Sequence, residues 1–160
     1  MKTEIITEMF SAYYNRAVLY VYSLSKDFDL SEDIVSNAFF KAVSTADDDI
    51  QNFKAWLFTI CRNEYCSHFR KRKRISVSEL DENIAPNSPD IIDSIIRNEQ
   101  YRALYRAISL LSVEQREVIT LFYFAELSVR EISLTMGKSE SNTKVLLHRA
   151  RKSLKDILEV

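Results

Sequence analysis

One glycine, Gly137, serves the whole 160-residue chain, and only two prolines accompany it. Sandwiches, barrels and doubly wound sheets depend on glycine at tight turns, so a chain this poor in it favours helices joined by short connections. Hydrophobic residues make up 46% of the sequence, which is enough to bury a core and too many for a disordered chain.

Apolar periodicity sets out the elements. Ile5, Met9, Phe10, Tyr13, Ala17, Val18, Val21 and Leu24 recur at three- and four-residue steps, which predicts a helix over about residues 3–25. Ser31 reads as the N-cap of a second helix, with Glu32 and Asp33 in its first turn and a stripe of Ile34, Val35, Ala38, Phe39 and Ala42. A polar loop over 44–52 precedes a third helix, about Phe53 to Lys71, whose apolar face is expected to hold Phe53, Trp56, Leu57, Ile60, Cys61, Tyr65 and Phe69. The pattern then fails through SVSELDENIAPNSPD, which carries both prolines. It resumes at Ile91 and runs through Ile92, Ile95, Ile96, Tyr101, Leu104, Tyr105, Ile108 and Leu111.

The rest of the chain is clearly punctuated. Ser112 with Gln115, and Ser128 with Glu131, fit capping boxes. Gly137 stands where the helix after Ser128 must stop, because glycine takes the left-handed conformation without steric cost. Ser139 then caps a final helix with a stripe of Thr143, Leu146, Leu147, Ala150, Leu154 and Leu158. The fold class expected is therefore all-α: two small helical domains, residues 1–74 and 91–160, joined by a flexible acidic linker over 75–90. The second is a four-helix domain containing a helix-turn-helix.

A net charge of −1 conceals a segregated pattern. Residues 1–60 hold five basic against nine acidic side chains, residues 61–74 six against one, residues 75–100 one against six, and residues 101–160 ten against seven. Separate protein-facing and nucleic-acid-facing surfaces fit this arrangement. In a helix-turn-helix the second helix enters the major groove, so Lys138, Ser139, Glu140, Asn142 and Lys144 are the candidates for base edges. Asn pairs bidentately with adenine and Glu accepts from cytosine N4. His148, Arg149, Arg151 and Lys152 are better spaced for phosphates. The alternative is a two-helix hairpin whose polar face is only solvated.

The second constellation is RKRKR, Arg70, Lys71, Arg72, Lys73 and Arg74, with Arg62 and Asn63 upstream on the same helix. Five consecutive cations repel one another unless solvated or facing an anion. Trp56, Tyr65, His68 and Phe69 lie among them, either to stack on unpaired bases or to fill the core.

Catalysis finds little support. Cys61 and Cys66 are not spaced as CxxC, the two histidines lack companions for a metal set, and no glycine run can cradle phosphate. Neither a cofactor nor a metal is expected. No stretch approaches the roughly 20 apolar residues of a membrane span, and Met1–Phe10 lacks a signal pattern, so a cytoplasmic chain without membrane insertion is expected.

LSEDIVSNAFFKAV (30–43), FKAWLFTICRNEYCSHFRKRKR (53–74) and LSVEQREVITLFYFAELSVREISLTMGKSESNTKVLLHRARKSL (111–154) together resemble the extracytoplasmic-function (ECF) type of alternative sigma factor of bacterial RNA polymerase. The resemblance implies a binding protein with no enzymatic activity. Its first domain would dock on core RNA polymerase through Glu32, Asp33, Val35, Ser36 and Phe39. It would engage the promoter −10 element with Trp56, Arg62, Asn63 and the 70–74 cations. The second domain would read the −35 element with the helix starting near Ser139. The resemblance also implies an anti-sigma factor as inhibitory partner and a monomer when free. Four departures from the family pattern stand out: Ser36 for Gln, Val43 for Trp, Ser67 for Asp, and Ser141-Asn142-Thr143 for Gly-Thr-Val. Three rival readings are a dimeric operator-binding regulator, a protein-only helical adaptor and a small helical enzyme, the last without a convergent polar site in the sequence.

Overall fold

The computed structural model describes residues 2–45, 53–75 and 98–159, and every element among them is an α-helix. Most of the acidic stretch over 75–90, the apolar Ile91–Ile96 run and residues 46–52 of the polar loop lie outside the described residues. The chain divides into two compact units, Met1–Asn87 and Ser88–Val160.

The first unit contains α1 (Lys2–Ser25), α2 (Phe28–Thr45) and α3 (Phe53–Ile75). Its core is the trailing half of α1: Ala17 to Ser23 are all buried, because α2 and α3 both pack against this segment. The leading half is open, with Ile5 and Phe10 exposed rather than within the expected stripe. Phe10 nevertheless stacks on Tyr14, with centroids 4.7 Å apart, and meets the edge of Phe39 at 4.9 Å.

The break between α1 and α2 is shorter than the pattern suggested. Lys26 turns the chain at φ 55 and its N–H donates to Tyr22 O at 2.9 Å. Asp27 then provides the cap: its Oδ1 accepts from Leu30 N at 3.1 Å, and α2 begins at Phe28. Ser31 is therefore not the N-cap expected of it. It is buried inside α2, its hydroxyl donating to Asp27 O at 2.7 Å and paired with Ser25 Oγ at 2.9 Å. The stripe of Ile34, Val35, Ala38, Phe39 and Ala42 is buried as the periodicity requires.

On α3, Phe53, Leu57 and Cys61 are buried, and so is Phe58, which meets Tyr20 edge to face at 5.7 Å. Phe69 is exposed and does not belong to the core. Tyr65 secures the middle of the helix, its phenol donating to Leu24 O at 3.1 Å near the end of α1. Both cysteines are free thiols. Burial, with the charge of Glu64 adding to it, pushes the Cys61 thiol far above its ordinary pKa. A group raised in this way stays protonated, and so inert, through the neutral range. In native protein at pH 8, iodoacetamide is expected to modify Cys66 and reach Cys61 only after unfolding. Equal labelling by peptide mass spectrometry would contradict that packing.

The second unit contains α4 (Glu99–Ile108), α5 (Val113–Tyr123), α6 (Val129–Met136) and α7 (Glu140–Leu158). Each begins at a side-chain cap: Asn98, Ser112, Ser128 and Ser139 accept from Gln100 N, Gln115 N, Glu131 N and Asn142 N respectively. Only at Ser128 do both halves of a capping box form, with Glu131 Oε1 accepting from Ser128 N at 2.8 Å. Tyr105, Ile108, Val118, Ile119, Leu127, Ile132, Leu147 and Leu154 fill the core. Tyr101 and Leu158, expected inside, are exposed at helix ends that project past it. Arg116 is buried, and its Nη1 donates to Ser109 O and Leu111 O, tying α5 to the segment that follows α4.

Gly137 ends α6 at φ 67, ψ 36, with nothing within 4 Å of the position a Cβ would take. The cost of a side chain there is therefore conformational and not steric. Gly137→Ala is expected to lower stability by about 1 kcal/mol and Gly137→Asn by less, read from urea midpoints. Equal losses from both would show that the left-handed backbone is not what glycine supplies.

Candidate nucleic-acid interface

The α6–α7 segment is organised by local chemistry. The capping box fixes the start of α6, Gly137 reverses the chain, and Ser139 opens α7 three residues after Met136. Thr143 turns inward, its hydroxyl donating to Ser139 O at 2.8 Å. Thr143, Leu147, Ala150 and Leu154 form the buried line of α7, so Glu140, Ser141, Asn142, Lys144, His148, Arg149 and Lys152 are left in solvent. These exposed residues supply donors, acceptors and cations along one continuous helix, a combination suited to base edges first and phosphates after them.

Two of the expected DNA-contact residues are engaged within the unit. Lys138 Nζ lies 2.9 Å from Glu114 Oε1 at the start of α5. The Arg151 guanidinium sits over the Phe122 ring at 4.6 Å and 5.9 Å from that of Tyr123, a cation–π arrangement on the flank of α7. Arg151 also lines an open cavity of about 380 Å³ with Tyr123, Leu154, Lys155, Leu158 and Glu159.

On α3, the helix continues through the cation run to Ile75, four residues beyond the expected end. Arg70, Lys71 and Lys73 are exposed and Arg72 is half-buried; the side chain of Arg74 lies outside the described set. Upstream, Asn63 is exposed, Arg62 is half-buried, and Trp56 is half-buried with its ring 5.8 Å from that of Phe53. Phe69 stacks on Tyr65 at 6.0 Å and keeps its outer face open. The aromatics thus divide, Trp56 leaning on the core and Phe69 standing beside the cations.

Among the residues expected to meet polymerase, Asp33 and Ser36 are exposed on α2 and Glu32 is half-buried. Glu32 accepts a hydrogen bond from Tyr14 at 3.3 Å. Burial raises the Tyr14 pKa and the carboxylates of Glu32 and Asp33 add to the shift, so the phenol remains a donor at neutral pH. Val35 and Phe39 are buried, Phe39 between Phe10 and Phe53, and they shape this face from beneath. Phe40 was missed by sequence reasoning: 71% exposed, it shares the solvent face with Asp33, Ser36 and Asn37. Its position one residue off the buried stripe was the available signal. Lys41 forms an ion pair with Glu64 of α3 beside it.

Among the described residues, no group of three or more His, Cys, Asp or Glu side chains is placed to hold a metal ion, and no helix is long and apolar enough to cross a membrane.

Comparison with known proteins agrees with this division. Residues 9–75 match the family model of sigma-70 region 2, and residues 101–154 match that of sigma-70 region 4. The chain is 32% identical over 161 residues to the ECF RNA polymerase sigma factor SigM of Bacillus subtilis (strain 168), the match covering 94% of this chain and 93% of that protein. It is also 32% identical over 157 residues to the ECF RNA polymerase sigma factor BldN of Streptomyces coelicolor, covering 94% of this chain and 59% of that longer protein. Among solved structures, the sigma factor RpoE of Bartonella quintana, in complex with the anti-sigma factor NepR, superposes with a TM-score of 0.70 at 28% identity, covering 96% of each chain.

The chain belongs to the sigma-70 family, within its ECF group of RNA polymerase sigma factors. Its function is that of an ECF sigma factor, which binds RNA polymerase and promoter DNA.

Proposed function

We propose that the two units divide this work, residues 1–74 taking the polymerase clamp and the −10 element and residues 91–160 taking the −35 element, with residues 75–90 as the acidic connection. In this reading the second domain is a four-helix domain whose α6 and α7 form a helix-turn-helix. Ser139, Glu140, Asn142 and Lys144 face base edges, and His148 and Arg149 face phosphates. The observation that carries the reading is the capped α6–Gly137–α7 geometry, which leaves the polar face of α7 in solvent over its whole length.

In the first domain, Glu32, Asp33 and Ser36 present an acidic, polar face to polymerase, supported from below by Val35 and Phe39. Trp56, Arg62, Asn63 and the cations Arg70 to Arg74 hold DNA where the strands separate. Opening base pairs costs a few kcal/mol per step, offset by capture of unpaired bases and by contacts with polymerase. The positive surfaces provide sequence-independent attraction and α7 provides selection. The likeness to a sigma factor bound by an anti-sigma factor supports an inhibitory partner of that class for this chain. The free chain is read as a cytoplasmic monomer without a cofactor.

Purified chain added to core polymerase is expected to start transcripts at a defined subset of sites in a sheared genomic run-off pool. Transcription indistinguishable from that of core polymerase alone would overturn the assignment. On a promoter obtained in this way, Asn142→Ala is expected to relax choice at one or two upstream base pairs, by about 1–3 kcal/mol of discrimination. An equal loss on every template would count against base reading by Asn142.

A further inference from the structure

Lys138 stands where three helices of the second unit meet. Its backbone N–H donates to Ser133 O of α6 at 2.9 Å, its ammonium lies 2.9 Å from Glu114 Oε1 of α5, and the next residue caps α7. Glu114 is in the first turn of α5, directly behind the Ser112 cap, where the helix dipole favours a carboxylate. The Lys138 side chain is 29% exposed, against 63% for Glu114.

An uncommitted lysine at the leading end of a helix that meets DNA would be a natural phosphate ligand. This one is already opposite a carboxylate. We infer that Lys138 is a positioning residue: paired with Glu114, it braces the first turn of α7 against the start of α5 and so sets where Ser139, Glu140 and Asn142 stand. The inference rests on the reading of α7 as the recognition helix, and it replaces the DNA contact that spacing alone suggested for Lys138.

The surroundings show why a brace is needed there. The buried line of α7 starts only at Thr143, so residues 139–142 have no core packing beneath them. On the other side of the turn, nothing lies within 4 Å of where a Gly137 Cβ would be. This turn is held by local bonds, among them those of the Ser139 and Thr143 hydroxyls, and by an ion pair that reaches another helix. Partly exposed pairs shift local equilibria by only about twofold to fivefold. A shift of that size still matters at a turn whose side chains must be placed to within a fraction of an ångström.

The two roles separate by salt dependence. A lysine that neutralises a phosphate releases a counterion and adds about 0.9 to the slope of log affinity against log salt. A lysine retained by Glu114 adds nothing to that slope.

The first arm of the test needs no DNA. In the full chain, amide hydrogen exchange at Asn142 and Thr143 is measured for Lys138→Gln, Glu114→Gln, both together, and the exchanged pair Lys138→Glu with Glu114→Lys. Exchange should quicken about twofold to fivefold in each single variant, go no further in the double, and recover in the exchanged pair. Unaltered exchange in the single variants overturns the brace. The second arm uses holoenzyme on a promoter fragment selected from the genomic pool. Lys138→Gln should keep the parental salt slope while losing preference for that fragment over a scrambled one, whereas Lys152→Gln should flatten the slope by about 0.9. A drop with Lys138→Gln as large as that with Lys152→Gln makes Lys138 a phosphate ligand and overturns the proposal. If no fragment is selected and Lys152→Gln is also silent, the DNA reading of α7 fails, and the exchange arm still decides the brace.

Discussion

Replacing Arg70, Lys71 and Lys73 together with glutamine is expected to weaken promoter binding by the holoenzyme on the order of 10²-fold near physiological salt. All three side chains are exposed at the end of α3, in a chain whose net charge is −1. Attraction to DNA must therefore come from local cations and not from the molecule as a whole. Each phosphate that is no longer neutralised takes roughly 0.9 off the salt slope, so the triple variant should be flatter than the parent by about 2.7. Because these residues lie beyond the core, thermal stability should hold. A normal slope in a folded variant would remove the cation run from the DNA interface.

Phe58→Ala is expected to unfold the first unit selectively. Phe58 is fully buried, with its ring 5.7 Å from that of Tyr20, so truncation costs about 3–5 kcal/mol through reduced burial and the cavity left behind. A domain of this size holds on the order of 5–10 kcal/mol, so most of its margin disappears. The single tryptophan of the chain, Trp56, belongs to this unit, and its fluorescence reports the unit alone. Its urea midpoint should fall sharply while a second helical transition, followed by circular dichroism, stays in place. A single transition shared by both signals would show that the units unfold as one.

The second unit was more legible in sequence than the first, and the reason is chemical. Caps are local: Ser112, Ser128 and Ser139 satisfy amides three residues away, and Gly137 takes a backbone state that few other residues tolerate. No distant residue is needed to place them. At the start of α2 the same logic pointed to Ser31, but Asp27 competes for the role four residues earlier and wins it. That leaves Ser31 inside the helix, bonded to Asp27 and Ser25.

Aromatic placement was less legible because periodicity cannot say which neighbours close over a ring. Phe39 and Phe40 are adjacent, and about 100° of helix rotation puts one in the core and the other in solvent. Phe69, placed on the expected apolar face, is exposed, whereas Phe58, left off that face, is buried against Tyr20 of α1. For the cations, spacing reveals the charge without its destination. Lys138 and Arg151 are committed to Glu114 and to the Phe122 ring, partners on another helix that no periodicity rule identifies.

The continuity of α3 makes it a cantilever. It is anchored where Phe53, Leu57, Phe58 and Cys61 are enclosed and clamped once more at Tyr65, and it carries its charges on the overhang. Deleting one residue between Tyr65 and Arg70 would swing the entire charged tip by about 100° and retract it by about 1.5 Å. A substitution on the overhang therefore alters its charge without moving it, whereas a change in its length moves every charge at once.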